Sequence, residues 1–76
     1  MRESVVSQAK SWGFTCQLTA SGNWQIFSPQ PKERWQLSEL ENRWMLKLGN
    51  VPQIYLTHPE ALRFLERRFL DNRPSR

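Results

Sequence analysis

The sequence predicts an α+β fold in which a single antiparallel meander sheet of four or five strands carries an N-terminal and a C-terminal helix on one face. Three observations lead to this prediction. Apolar residues recur at helical spacing near both ends of the chain, they alternate with polar residues after Gly13, and a Trp-x-aliphatic triplet occurs three times in between. The expected element order is therefore α-β-β-β-β(-β)-α.

Residues 3–12 are predicted to form the first helix. Val5, Ala9 and Trp12 follow the i, i+4, i+7 spacing that places apolar side chains on one helix face, and Val6 lies beside them. Gly13 comes next, and glycine commonly ends a helix because it adopts the left-handed conformation without strain.

The period changes after Gly13. Residues 14–19 alternate between apolar and polar, which places Phe14, Cys16 and Leu18 on one face of a strand. Residues 20–23 are expected to turn, and residues 29–31, with two prolines, break the chain after a second strand. Pro52 predicts an edge position for the last strand, because proline cannot donate to a neighbouring strand. The predicted later strands are residues 24–28, 34–38, 43–48 and 53–57, with turns at 39–42 and 49–50.

The three triplets are Trp24-Gln25-Ile26, Trp35-Gln36-Leu37 and Trp44-Met45-Leu46. In a strand, the tryptophan and the aliphatic residue share one face, so three neighbouring strands would present a broad apolar surface to the helices. Trp35 and Trp44 are predicted to be core residues, although aromatic rings on a sheet can also stack on bases. Trp12 and Trp24, nearer the element ends, are expected to be partly exposed. The opposite face is expected to be polar and mildly basic, with Thr15, Gln17, Gln25, Gln36, Arg43 and Lys47.

The second helix is predicted over residues 58–71. Thr57 and Glu60 match a capping box, and Pro59 lies in the first turn, where its missing N–H does no harm. Arg63 and Arg67 are expected on a more exposed face. The predicted buried stripe consists of Leu62, Leu65 and Phe69, with Ala61 alongside.

Length and charge limit the classes of function. A chain of 76 residues has room for one core, so residues 1–72 are predicted to form one domain and residues 73–76 a short basic tail. The net charge of +4 favours polyanionic partners such as nucleic acid. Much of this excess, however, lies near the C-terminus, in Arg67, Arg68, Arg73 and Arg76.

The residues that most often carry catalysis are sparse. His58 is the only histidine and is interpreted as a first-turn residue of the second helix. Cys16 is the only cysteine, so no internal disulfide forms, and its alternation predicts a buried core thiol rather than a nucleophile. Glu39 and Glu41 are interpreted as solvated residues of a polar turn. The sequence thus predicts a protein that is not an enzyme and has no cofactor or metal. It also predicts a cytoplasmic location without membrane insertion.

Two resemblances accompany these predictions. The helix end Trp12-Gly13-Phe14, the strand that follows, and Gly22 before a second strand ending at Pro29 resemble the start of HicA-type toxins. Those are small RNases with a core like that of double-stranded-RNA-binding domains. In that family a catalytic histidine follows the glycine, whereas Asn23-Trp24-Gln25 follows Gly22 here, so the resemblance assigns no active-site residue. Residues 42–68 are similar to short cyanobacterial proteins of unknown function, a likeness that implies no activity.

Three hypotheses for function remain. The favoured one is a small binding module, an accessory or regulatory protein that docks onto a larger protein partner. The alternative is an RNA-binding domain that uses the arginine-rich C-terminal helix, and the least favoured is an unconventional RNase. A cation at the end of a helix also interacts well with the helix dipole, so the arginines need no ligand to explain them. The candidate contact residues for a nucleic acid or a partner are Arg63, Arg67, Arg68, Arg73, Arg43, Lys47 and Trp24.

Overall fold

The computed structural model describes residues 2–30 and 32–71, and the predicted α+β fold is confirmed there. Five strands form one sheet in the order β1-β2-β3-β4-β5, and every neighbouring pair is antiparallel. Each strand therefore lies beside its neighbour in the chain, as expected for a meander. The elements are α1 (Arg2–Ser11), β1 (Thr15–Leu18), β2 (Trp24–Phe27), β3 (Trp35–Leu40), β4 (Arg43–Leu48), β5 (Val51–Leu56) and α2 (His58–Asp71).

Both helices pack on the same face of the sheet. Helix α1 contacts β1 and β2, α2 contacts β4 and β5, and the two helices contact each other. The helix junction includes Trp12 stacked on Phe69, with ring centroids 5.4 Å apart. None of the described helices is long and apolar enough to cross a membrane.

Local sequence signals set the ends of both helices. At the end of α1, the amide of Gly13 donates to the carbonyl of Lys10, and the amide of Phe14 donates to that of Ala9. This pair of bonds is a Schellman motif, which needs a left-handed residue, and Gly13 has a φ of 89°. At the start of α2, the amide of Thr57 donates to the Glu60 carboxylate at 2.9 Å, and the amide of Glu60 lies 3.3 Å from the Thr57 hydroxyl. The predicted capping box is confirmed.

The core lies between the sheet and the helices. Trp44 is fully buried and Trp35 nearly so, as predicted, whereas Trp12 and Trp24 are half-buried. The ring of Trp35 meets Phe14 and Phe64 edge-on, with centroid distances of 5.6 and 5.1 Å. These contacts join the end of α1, the centre of the sheet and the middle of α2. The buried core consists of Val5, Val6, Ala9, Phe14, Ile26, Trp35, Leu37, Trp44, Leu56, Ala61 and Leu65.

The prediction of a polar turn at residues 39–42 was wrong. Strand β3 continues to Leu40, which pairs with Arg43, so only Glu41 and Asn42 form the turn. Glu41 has a φ of 56°, a left-handed conformation that the tight turn requires. Glu39 faces the core side of the sheet and is only 6% exposed. Its carboxylate is compatible with burial because it has two partners, Arg2 and the amide of Trp24.

The face of the sheet away from the helices, here called the open face, is less polar than predicted. Strand register places the six predicted polar residues on it, as expected. It also places four large apolar side chains there, of which Tyr55 and Leu40 are exposed. The open face therefore combines amides and cations with apolar surface. Its added apolar members are Phe27, Leu40, Met45 and Tyr55.

Candidate interaction site at strand β5 and helix α2

Strand β5 is an edge strand, as Pro52 predicted. Only β4 pairs with it, so the backbone groups on its other side have no strand partner within the described sheet. Val51, Ile54 and Tyr55 are half or more exposed, and only Leu56 is buried. An edge strand with exposed apolar residues is a template for pairing with another chain.

Proline and a register shift alter only the first half of β5. Leu46 pairs with Ile54 and Lys47 with Pro52, so Gln53 is the extra residue of a bulge. Pro52 lacks an amide hydrogen, and a bulge disturbs the regular ladder, so this half is poorly suited to strand addition. The later residues of β5 lie outside the bulge, and their edge is the part of the strand best suited to pairing.

A groove of about 600 Å³ runs between β5 and α2. Its floor is apolar and includes Ile54 and Phe64. Arginines from successive turns of α2 border it, so the groove follows this helix for most of its length. The lining residues are Leu46, Ile54, Leu56, Glu60, Arg63, Phe64, Arg67, Arg68 and Asp71.

The three helical arginines differ in their surroundings. The guanidinium of Arg68 lies over the ring of Phe64 at 4.9 Å, a cation–π contact that holds it against the groove floor. Arg63 and Arg67 are exposed, as predicted, and neither forms an ion pair with any residue in the described part of the chain. Both charges are therefore available to a ligand in the groove.

The other predicted contact residues do not join this cluster. Arg43 and Lys47 lie on the open face of β4, on the far side of the sheet from the groove. Trp24 lies on β2, beside the opposite edge strand, and Lys10 lies 5.1 Å from its ring centroid in a second pocket against α1. Arg73 lies outside the described residues. The predicted set is thus divided among three regions.

Sequence reasoning missed the apolar part of the groove. Ile54 and Phe64 were not singled out, because apolar residues in a strand or helix are ordinarily assigned to the core. One signal was available: Pro52 marked β5 as an edge strand, and an edge strand leaves part of its apolar surface uncovered. Charge alone predicts the arginines, and it gives no sign of the apolar floor beneath them.

The residue types that most often carry catalysis have structural contacts here. His58 accepts a hydrogen bond from buried Trp44, and Glu39 is paired with Arg2. Cys16 is half-buried rather than fully buried, and its Sγ lies 3.9 Å from the carbonyls of Val6 and Phe14. Burial raises the pKa of the Cys16 thiol, against the opposing charge of Lys10. Residues 2–30 and 32–71 contain no group of three His, Cys, Asp or Glu side chains placed to hold a metal ion.

Comparison with known proteins adds no relative to this description. The chain matches no family model, no curated protein and no solved structure at a significant level. The likenesses to HicA-type toxins and to short cyanobacterial proteins therefore stay predictions.

Proposed function

We propose that this protein is a non-enzymatic interaction module that docks onto a larger protein through strand β5 and the adjoining groove. The observation that carries the proposal is the exposure of apolar side chains on both sides of an edge strand. Ile54 points to the helix side and Tyr55 to the open side, and both are half exposed. A strand from a partner would gain backbone hydrogen bonds and bury apolar surface on both faces.

The distribution of exposed apolar residues supports this location. Four of the seven large apolar side chains that stay exposed among the described residues belong to the β4–β5 hairpin, which indicates a patch rather than scattered positions. The four are Leu48, Val51, Ile54 and Tyr55.

The non-enzymatic part of the proposal is supported by the structural contacts of His58, Glu39 and Cys16. We expect no cleavage of single- or double-stranded RNA by the purified protein beyond that of a His58→Ala variant. Cleavage that disappears in this variant would contradict the proposal, because it would assign catalysis to the histidine.

Site-specific photo-crosslinking tests the docking site. A photoreactive residue at Tyr55 on β5 should crosslink to a protein in the cells that express the chain, and one at Gln17 on β1 should not. Ile54→Lys should abolish the crosslink, because a charge would replace half-exposed apolar surface at the interface. Leu18→Lys is the matched control, since Leu18 lies on the other edge strand and is 53% exposed, against 54% for Ile54. Equal crosslinking from both edges would contradict the proposal.

RNA binding is the second candidate, and the composition of the open face favours it. Strand register places the rings of Phe27 and Tyr55 on this face together with Arg43 and Lys47, and no acidic side chain among the paired strand positions shares it. Rings stack on bases, amides bond to base edges, and cations neutralise phosphates.

A salt titration separates this candidate from protein docking. If Arg63, Arg67 and Arg68 contact phosphates, replacing all three with Gln should flatten the dependence of log affinity on log salt by about one unit per lost contact. Replacing Arg43 and Lys47 with Gln applies the same measurement to the open face. RNA affinity no better than that of a basic protein of equal charge would reject the RNA-binding function.

A further inference from the structure

We infer that the segment docking on β5 is an extended protein chain with apolar and acidic side chains on the face it turns toward α2. This inference rests on the proposed function and specifies the chemistry of the partner. The groove lies on the helix side of β5, whose outer edge has no strand partner within the described sheet, so a strand added at that edge would turn every second side chain to the side of the groove.

The spacing of the helical charges fits such a strand. Arg63 and Arg67 are four residues apart, which corresponds to about 6 Å along a helix. Alternate residues of a strand are about 6.7 Å apart. Because the groove follows α2, two acidic side chains at alternate positions of an added strand can each meet one arginine, and an apolar side chain at the next alternate position, on the same face, can cover Ile54.

The charge of the groove indicates that the partner segment should carry negative charge. Its two acidic side chains, Glu60 and Asp71, belong to the first and last turns of α2, so the middle of the groove is basic. Glu60 is also engaged as the acceptor of the capping box. Within the described residues Arg63 and Arg67 form no ion pair, although the charge of Arg63 helps to lower the pKa of Glu60, and Arg68 adds a third cation over Phe64.

The same charges disfavour a second copy of this chain as the occupant. Two β5 strands paired antiparallel across a twofold axis would form one continuous sheet with both α2 helices on the same side. Three arginines of each copy would then border the same interface against only two acidic side chains, Glu60 and Asp71, and Glu60 is engaged in its capping box. Like charges that face each other destabilise an interface, so an acidic segment from another protein is the better fit.

A displayed library of random ten-residue peptides tests the inference. Peptides are selected on the wild-type protein, and those that still bind the Ile54→Lys variant are discarded. We expect the remaining peptides to be enriched in Asp or Glu at two alternate positions, with an apolar residue at a further alternate position of the same face. Their affinity should fall about tenfold for Arg63→Glu/Arg67→Glu, since two attractive pairs become repulsive. A control of equal net charge, Lys32→Glu/Arg34→Glu, should bind within about twofold of wild type.

The outcomes distinguish this inference from the proposed function. Peptides that need Ile54 but show no acidic preference, or that ignore the double arginine variant, would overturn the inference and leave docking at β5 intact. Failure to select any Ile54-dependent peptide would overturn both. A wild-type dimer in light scattering that Ile54→Lys dissociates would overturn the choice of occupant, because a second copy would then occupy the edge.

Discussion

The indole Nε1 of Trp44 donates a hydrogen bond to Nδ1 of His58 over 2.9 Å. Trp44 is fully buried in β4, and His58 is the first residue of α2, so the bond ties the start of this helix to the sheet. The imidazole must leave Nδ1 unprotonated to accept, which places its proton on Nε2 when the ring is neutral. A residue that the sequence indicated only as part of a helix start therefore has a second role, as the partner of a buried donor.

A double-mutant cycle should measure this bond. His58→Ala leaves the buried indole N–H unpaired, and we expect a loss of about 1–3 kcal/mol in the free energy of unfolding. Trp44→Phe also loses stability, but the double variant should lose less than the sum, with a coupling of about 1 kcal/mol. Urea unfolding of the four proteins provides the values. Strict additivity would mean that the bond contributes nothing measurable.

Substitution of Glu39 should separate charge from hydrogen bonding. Its carboxylate accepts the amide of Trp24 at 3.0 Å and lies 3.1 Å from Nε of Arg2. Glu39→Gln keeps an acceptor for the amide and should lose about 1 kcal/mol, whereas Glu39→Leu leaves the amide unpaired and should lose about 2–3 kcal/mol. Thermal melting reports the order of the two variants. Glu41→Gln in the exposed turn is the control and should stay within about 0.5 kcal/mol of wild type.

The capping box should contribute a pH-dependent part of the stability. The amide of Thr57 holds the pKa of Glu60 below its usual value. A carboxyl group with a lowered pKa in the folded state stabilises the fold above its unfolded pKa, and this stability is lost as the pH falls through the folded pKa. Denaturant unfolding from neutral to acidic pH should therefore show a smaller acid-induced loss for Glu60→Gln than for wild type.

Two further variants complete this test. Thr57→Ala removes the hydroxyl acceptor and should lose about 1 kcal/mol at neutral pH. Glu66→Gln alters an exposed carboxylate elsewhere on α2. We expect it to show the same acid-induced loss in the free energy of unfolding as the wild type. If Glu60→Gln and Glu66→Gln lose stability in parallel with wild type on acidification, the capping carboxylate is not the source of the pH dependence.

The Cys16 thiol should react slowly with alkylating agents in the folded protein. Burial raises its pKa, so a smaller fraction is thiolate near neutral pH than in the unfolded chain. Mass spectrometry of iodoacetamide modification should show a faster reaction in denaturant than in buffer. A native rate that equals or exceeds the denatured rate would indicate an activated thiol and would revive Cys16 as a candidate nucleophile.

The sequence by itself determined the elements whose causes are local. Gly13 ends α1 because its left-handed φ closes the Schellman motif, and Thr57 with Glu60 starts α2 because each bonds to the other's amide. Alternation predicted the first strand, and the Trp-x-aliphatic repeat between turn residues predicted the next three strands and the core positions of Trp35 and Trp44. These features depend on residues close together in the chain, so the order of the residues is enough to predict them.

Tertiary structure alone decided which groups meet across the sheet and which remain uncovered. Glu39 is buried because Arg2, far away in the sequence, lies over it, and His58 bonds to Trp44 because α2 begins above β4. The basic groove exists because α2 covers β5 incompletely, which leaves Ile54 exposed beneath Arg63 and Arg67. Residue patterns indicate which side of an element is apolar. How far a neighbouring helix covers that side depends on packing between distant segments, and this coverage determines where a partner can bind.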